Sequence, residues 1–201
     1  MSRAIRWIAP VLLAGWCCAQ NVAQQIGQVD SPGRAEALGA KLLDESRVPA
    51  AAAAALWISG DQATRRNARI VLNEMEEAAL DPLLKAKGKL DPAEQVWRMT
   101  MVAETVAELR RSAASMLDGQ LGNKEPAPVP SILGAEERAP SRRVCDEAYV
   151  LMSAMLAGES KSQAFLLRMR QFRGMSVAGR DAEIQRARQL AAWRSLLNPR
   201  R

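Results

Sequence analysis

The 201-residue sequence contains no histidine. This absence excludes Ser-His and Cys-His nucleophilic pairs, zinc or haem held by histidine, and acid–base catalysis by imidazole. The sequence also lacks a phosphate-binding loop, a dinucleotide fingerprint, a CxxC pair, an EF-hand loop and a GxSxG elbow. We therefore expect a protein that is not an enzyme and that carries neither a cofactor nor a metal.

Aromatic residues are scarce as well, at 4% of the chain, although hydrophobic residues make up 48%. Alanine, leucine and methionine supply much of the apolar content, and these residues lose little conformational freedom in a helix. Residues that favour strands are less prominent, and no hairpin turn signal flanks an alternating run. The composition predicts an all-α fold without a sheet.

The N-terminal segment MSRAIRWIAPVLLAGWCCAQ combines two arginines with an apolar run from Trp7 to Ala19. This pattern is typical of a secretory signal peptide, and the run is shorter than the roughly 20 residues of a membrane-spanning helix. We expect residues 1–19 to be a signal peptide, with cleavage after Ala19 or Ala23, and the mature protein to be periplasmic or secreted without a transmembrane span. An uncleaved anchor, which would give a membrane-tethered helical protein, is the alternative.

Apolar residues recur at steps of three and four, the period of a helix, in most of the remaining chain. The predicted helices are 33–46, 49–58, 62–79, a short one from Asp81-Pro82 to Gly88, 91–117, 141–157, 160–173 and 180–197. Residues 20–32 are predicted to be a flexible lead-in and 33–117 a repeat-like helical unit. Residues 118–140 contain four prolines and three glycines and are predicted to be a linker or a long loop before a C-terminal helical unit, 141–201.

Six alanines at 50–55 run into Leu56-Trp57-Ile58, and Gly60-Asp61 separates this segment from the next one. Two helices joined by such a turn form a helical hairpin. The alanine face is expected to let a neighbouring helix backbone come close.

The following segment ARIVLNEMEEAALDPLL, residues 68–84, resembles the second helix of a HEAT-type repeat running into the first helix of the next repeat. In that family an alanine-arginine step opens the second helix, spaced aliphatic residues pack inward, and an x-Pro-Leu-Leu segment starts the next helix. Ala68-Arg69, Val71, Leu72, Met75 and the LDPLL segment 80–84 fit this scheme. The resemblance covers 48–86, about 40 residues and one repeat length.

The resemblance implies stacked helical hairpins, a HEAT-like α-solenoid fragment, that act as a binding or scaffold protein through a helical surface without catalysis. An irregular helical bundle would satisfy the same hydrophobic spacing and is the alternative fold.

Arginines are candidates for the binding surface, because stacked helices would align them in a basic groove. The predicted binding residues are Arg65, Arg66, Arg69, Arg168, Arg170 and Arg173, and Arg142 and Arg143 would add to the same groove. The partner is expected to be a protein, with an anionic envelope component such as lipid or cell-wall polymer as a second possibility. Nucleic acid would fit the charge but not an exported protein. The simpler alternative is that the arginines solvate the surface and stabilise helix C-termini.

Two further features leave alternatives open. Glu104 and Glu108 are spaced one helical turn apart, which would suit a cell-envelope enzyme that acts with carboxylates, whereas a solvated helix face is the simpler interpretation. Cys145 beside Arg143 is either a reactive thiol with a lowered pKa or a structural one.

Overall fold

A computed structural model describes residues 20–43, 47–103, 109–127, 142–157 and 162–198. Within these ranges the regular structure is helical and no strand is present, so the predicted all-α fold is confirmed. The predicted signal peptide, 1–19, lies outside the described residues. The helices are 20–27 (α1), Pro32–Leu43 (α2), Arg47–Ser59 (α3), Gln62–Glu74 (α4), Glu77–Lys85 (α5), Pro92–Ala103 (α6), Arg110–Gln120 (α7), Val144–Ala157 (α8), Gln163–Gly174 (α9), Val177–Gln189 (α10) and Ala191–Leu197 (α11). None of the helices in these ranges has the length and apolar character needed to cross a bilayer.

The chain forms two compact units, Met1–Lys89 and Leu90–Arg201, called the N-terminal and C-terminal units below. This boundary divides the segment 33–117, which the sequence predicts to be a single helical unit, between the two.

In the N-terminal unit, α2 packs against α4, and α3 packs against both α4 and α5. The core is aliphatic apart from the fully buried Trp57, as expected for a helical stack. The α2 backbone comes very close to α4 at Gly39, where an added Cβ would lie 2.6 Å from the Glu74 Cβ and 2.9 Å from the Val71 carbonyl oxygen. Glycine therefore sets the distance between these two helices at this point.

The first helix corrects the prediction that 20–32 is a flexible lead-in. Residues 20–27 form α1, in which Val22 and Ile26 are buried. The Asn67 side-chain amide donates to the carbonyl oxygens of Ile26, at 3.4 Å, and Val29, at 3.0 Å. The prediction was wrong here because two apolar residues one helical turn apart are enough to fasten an otherwise polar helix.

The break between α4 and α5 also differs from the prediction. Helix α4 ends at Glu74, and Glu76 adopts a positive φ of 44° before α5 begins. Pro82, expected to start a helix, lies inside α5 instead. The earlier break allows Ala79, Leu80 and Leu83 to share one buried face of α5.

Helix α8 is central to the C-terminal unit, where it packs against α6, α7, α9 and α11. The predicted helix 91–117 is in fact two helices, α6 and α7, which fold back and pack against each other. The Tyr149 ring of α8 lies 4.3 Å from the Phe172 ring and 6.0 Å from the Trp193 ring, measured between centroids. Trp193 Nε1 donates to Asp118 Oδ1 at 3.1 Å, which joins α11 to α7.

The described part of the predicted linker 118–140 folds onto the start of α8. The Ala127 backbone N–H donates to the Arg142 carbonyl oxygen at 2.8 Å, and the Val144 N–H donates to the Glu125 carbonyl oxygen at 3.0 Å. These contacts place both ends of the segment 128–141 side by side, and residues 128–141 themselves lie outside the described ranges. The described residues on both sides of this segment, 118–127 and 142–157, belong to the same C-terminal unit.

Candidate functional site

The alanine run of α3 has two faces with different surroundings. Ala50, Ala53 and Ala54 are buried in line with Trp57 and face the rest of the N-terminal unit. Ala51 and Ala55 are exposed and lie one helical turn apart. The alanines therefore serve both a close-packed interior and an open apolar surface.

The open face forms the floor of a groove between α3 and the C-terminal end of α5, with a volume of about 580 Å³. Its walls are methyl and methylene groups, with three charged side chains, Asp81, Lys85 and Lys87, among the lining residues. Lys85 Nζ lies 2.7 Å from Asp81 Oδ2, so the excess charge at the groove is positive. The lining residues are Ala51, Ala54, Ala55, Ile58, Ser59, Asp81, Pro82, Lys85, Ala86 and Lys87.

Two local features position the chain at the C-terminal end of α3. A Cβ at Gly88 would overlap the Ile58 Cγ2 atom, so glycine lets the chain after α5 pass close over the end of α3 without displacing Ile58. The Asp61 carboxylate accepts a hydrogen bond from the Thr64 backbone N–H at 2.8 Å and caps α4, as Gly60-Asp61 predicts.

Three of the predicted binding arginines lie in the N-terminal unit. Arg65 donates through Nε to the Gly60 carbonyl oxygen at 2.8 Å and through a terminal nitrogen to the Ile58 carbonyl oxygen at 3.0 Å. These two hydrogen bonds tie the half-buried Arg65 side chain to the C-terminal end of α3. Arg66 is exposed and Arg69 is half-buried.

The other three predicted arginines lie on α9 in the C-terminal unit. Arg168 donates to the Tyr149 hydroxyl oxygen at 3.4 Å, and Arg173 lies 3.5 Å from Glu147 Oε2, so both are turned towards α8. Arg170 is exposed. The six arginines are thus divided equally between the two units.

A buried ionic cluster at the start of α8 was missed by the sequence analysis. Arg142 and Arg143, expected to line an open groove, are 5% and 6% exposed. Arg142 Nε donates to Glu147 Oε1 at 2.7 Å. Arg143 donates to both oxygens of Asp146, at 2.9 and 3.2 Å. The signal that would have found them is the RRVCDE segment, 142–147, which brings opposite charges together within two turns.

The same cluster connects α8 to α10. An Arg143 terminal nitrogen lies 2.8 Å from Asp181 Oδ1, and Arg180 Nε lies 3.5 Å from Asp146 Oδ2. Hydrogen bonds from Arg143 and Lys124 hold the pKa of the Asp181 carboxyl below its ordinary value, and the bonds with Asp146 raise the pKa of Arg143. Because its charges are matched with each other, the cluster is suited to holding helices in place.

Cys145 lies within this cluster and is buried. Burial raises the pKa of its thiol, with the neighbouring Asp146 adding to the effect. A buried thiol with a raised pKa favours the structural alternative.

Glu104 and Glu108 lie outside the described residues, so the carboxylate-pair interpretation stays a prediction. In the described ranges, no three acidic or cysteine side chains come together in a way that would hold a metal ion.

Comparison of the chain with protein-family models, curated proteins and solved structures gives no match. Its function is therefore interpreted from its own geometry, above all from the α3–α5 groove.

Proposed function

We propose that this chain is an exported binding or scaffold protein, built from HEAT-like stacked helical hairpins, that holds a helix of a partner protein in the α3–α5 groove. The observation that carries the proposal is the open alanine floor of that groove. Binding there requires contact alone and no catalysis.

The packing of the N-terminal unit supports the stacked-hairpin part of the proposal. Helices α3 and α4 form a hairpin, α2 packs on α4, and α5 packs on α3. Each helix of the hairpin thus has a neighbour of its own from the adjacent chain segment, which is the arrangement that repeated hairpins produce.

A helix is the occupant that best fits the floor. Ala51 and Ala55 project only methyl groups, so a second helix can approach to the 8–10 Å interaxial distance typical of packed helices. An amphipathic helix lays its apolar side chains at i, i+3 and i+4 into such a groove. On its buried side, α3 already packs against helices through alanines of the same kind.

The charge of the groove selects among amphipathic helices. Lys87 and the Lys85–Asp81 pair leave one net positive charge beside the apolar floor. A partner helix with acidic residues flanking its apolar stripe is complementary to this charge, whereas a basic flank would be repelled.

Export is supported by the arginines and the apolar run of residues 1–19. Mass spectrometry of the N-terminus after cell fractionation tests it. A start at Gln20 or Gln24 in a soluble envelope fraction is expected. An intact Met1 or Ser2 in the cytosol would contradict export and return nucleic acid to the candidate partners.

The groove itself is tested with two synthetic helical peptides that share one apolar stripe and differ in having acidic or basic flanks. Their binding is measured by fluorescence anisotropy on the wild-type chain and on A55W, which fills the groove with an indole. A63W is the matched control, since Ala63 is also an exposed alanine but lies on α4 outside the groove.

The acidic peptide should bind the wild type and A63W alike and lose about tenfold or more in affinity on A55W. The basic peptide should bind weakly to all three. Equal binding of the acidic peptide to A55W and A63W, or no binding to the wild type, would overturn the proposed site.

A further inference from the structure

We infer that the outer face of α9 docks on the surface of an anionic lipid bilayer. This goes beyond the proposed function, because it concerns the C-terminal unit and does not depend on the α3–α5 groove. The outer face of α9 is defined by Leu166, Leu167 and Arg170.

The two leucines are the most exposed large apolar side chains in the described ranges. Leu166 is 56% and Leu167 57% exposed. After α9 the chain continues with two further exposed apolar residues, Met175 at 38% and Val177 at 42%. Four such residues within twelve positions go beyond the scattered single apolar side chains that are normal on a soluble surface.

The rotation of α9 explains why this face is outward. Met169 and Phe172 are buried, at 3% and 2% exposed, and they fix the inward side of the helix. At 100° per residue, Leu167 points almost opposite to that side, with Arg170 next to it and Leu166 beyond Arg170. The arginine is therefore placed between the two leucines.

The charge of the region is strongly positive. Helix α9 holds three arginines and no acidic residue, and residues 162–198 hold seven arginines against two carboxylates. The carboxylates that approach α9 lie on its inner side, where Glu147 faces Arg173 and Glu183 faces Arg168. Because these carboxylates pair with Arg173 and Arg168, Arg170 is the charged residue on the outer face of α9, whose other residues are apolar.

This combination suits a bilayer interface. Leucines can enter the boundary between headgroups and acyl chains, while an arginine beside them extends to the phosphates. Anionic lipid adds electrostatic attraction that neutral lipid does not provide. An anionic bilayer is therefore the occupant of this face.

The test measures co-sedimentation of the protein, in the form isolated from its cells, with phosphatidylcholine vesicles with and without phosphatidylglycerol. Three variants are compared with the wild type. R170E and the double variant L166S/L167S alter the proposed face. R66E is the matched control, because it makes the same charge change at an exposed arginine of the N-terminal unit.

The wild type should partition to the phosphatidylglycerol vesicles and only weakly to pure phosphatidylcholine. R170E and L166S/L167S should each lower the partition coefficient about tenfold, since one loses the charge attraction and the other the apolar contact. R66E should stay within about twofold of the wild type. Circular dichroism of each variant establishes that the helical content is retained.

Three results would overturn the inference. The first is equal partitioning to both vesicle types, and the second is an equal loss for R66E and R170E, which would indicate general charge attraction. The third is a wild-type dimer, seen by sedimentation equilibrium and abolished in L166S/L167S, without binding to either vesicle. That result would make this face a contact between copies of the chain.

Discussion

The two units are stabilised in different ways. In the N-terminal unit the buried side chains among the described residues are apolar, and small residues bring the helices close together. In the C-terminal unit the interior also includes five charged side chains around α8 and α10, namely Arg142, Arg143, Asp146, Glu147 and Arg180. A close-packed interior depends on the volume of each side chain, whereas an ionic interior depends on the pairing of each charge.

The largest loss of stability is expected from a substitution that removes one charge of the ionic interior. D146N should destabilise the C-terminal unit by about 3–5 kcal/mol, because Arg143 and Arg180 would keep their buried charges without this carboxylate. The measurement is hydrogen exchange of the α8 peptide, which follows this unit separately from the N-terminal one. D30N is the matched control and is followed by hydrogen exchange of the α2 peptide. It should cost the N-terminal unit less than about 1 kcal/mol, since the Asp30–Arg34 pair is largely exposed.

A smaller effect is expected from overfilling the close-packed interior. A53L should destabilise the N-terminal unit by about 1–3 kcal/mol, because Ala53 is fully buried and its neighbours leave no room for three more carbons. A55L places the same side chain on the groove floor and should change stability by less than about 0.5 kcal/mol. Hydrogen exchange of the α3 and α4 peptides separates the two outcomes, and equal costs would contradict the two-faced description of α3.

The smallest effect concerns pH. The pKa of Asp181 is lowered in the folded state, first by its hydrogen bond with Arg143. Its stabilising contribution is therefore present above the ordinary value of 3.8 and is lost as pH falls through the folded-state pKa. D181N should cost less than about 1 kcal/mol near neutral pH, since the side chain is 34% exposed, and nothing once Asp181 is protonated. The free energy of unfolding in urea is measured for D181N and the wild type near neutral pH and at a pH where Asp181 is protonated. An equal difference between the two proteins at both pH values would contradict this linkage.

Local spacing and caps predicted much of this fold. Asp61 and the turn at Gly60 separate α3 from α4 as expected, and the helical period predicts the all-α class. Helical spacing and capping residues did not predict a helix boundary that depends on packing in the folded unit. Met75 and Glu76 form a turn in the middle of an unbroken periodic run, and Leu80 and Leu83 of the helix that follows are buried.

The ionic cluster is a second feature that the sequence analysis did not predict. The sequence analysis treated Arg143 as a surface charge although Asp146 lies three positions away. Its second partner, Asp181, lies far along the chain on a different helix, and local spacing does not indicate it. The sequence predicted only the packed side of the alanine helix and not the groove on its open side. The alanines indicated close helix packing, but which of them stay open depends on where α5 ends beside α3.

We propose that the N-terminal unit binds a partner helix with the open alanine face of α3, while the charged side chains buried in the C-terminal unit hold its helices together. Hydrogen exchange of the whole chain, with and without the acidic peptide, tests this claim most directly. We expect added protection in α3 and α5 and none in α8 or α10. Protection confined to α8 and α10, with α3 and α5 unchanged, would contradict it.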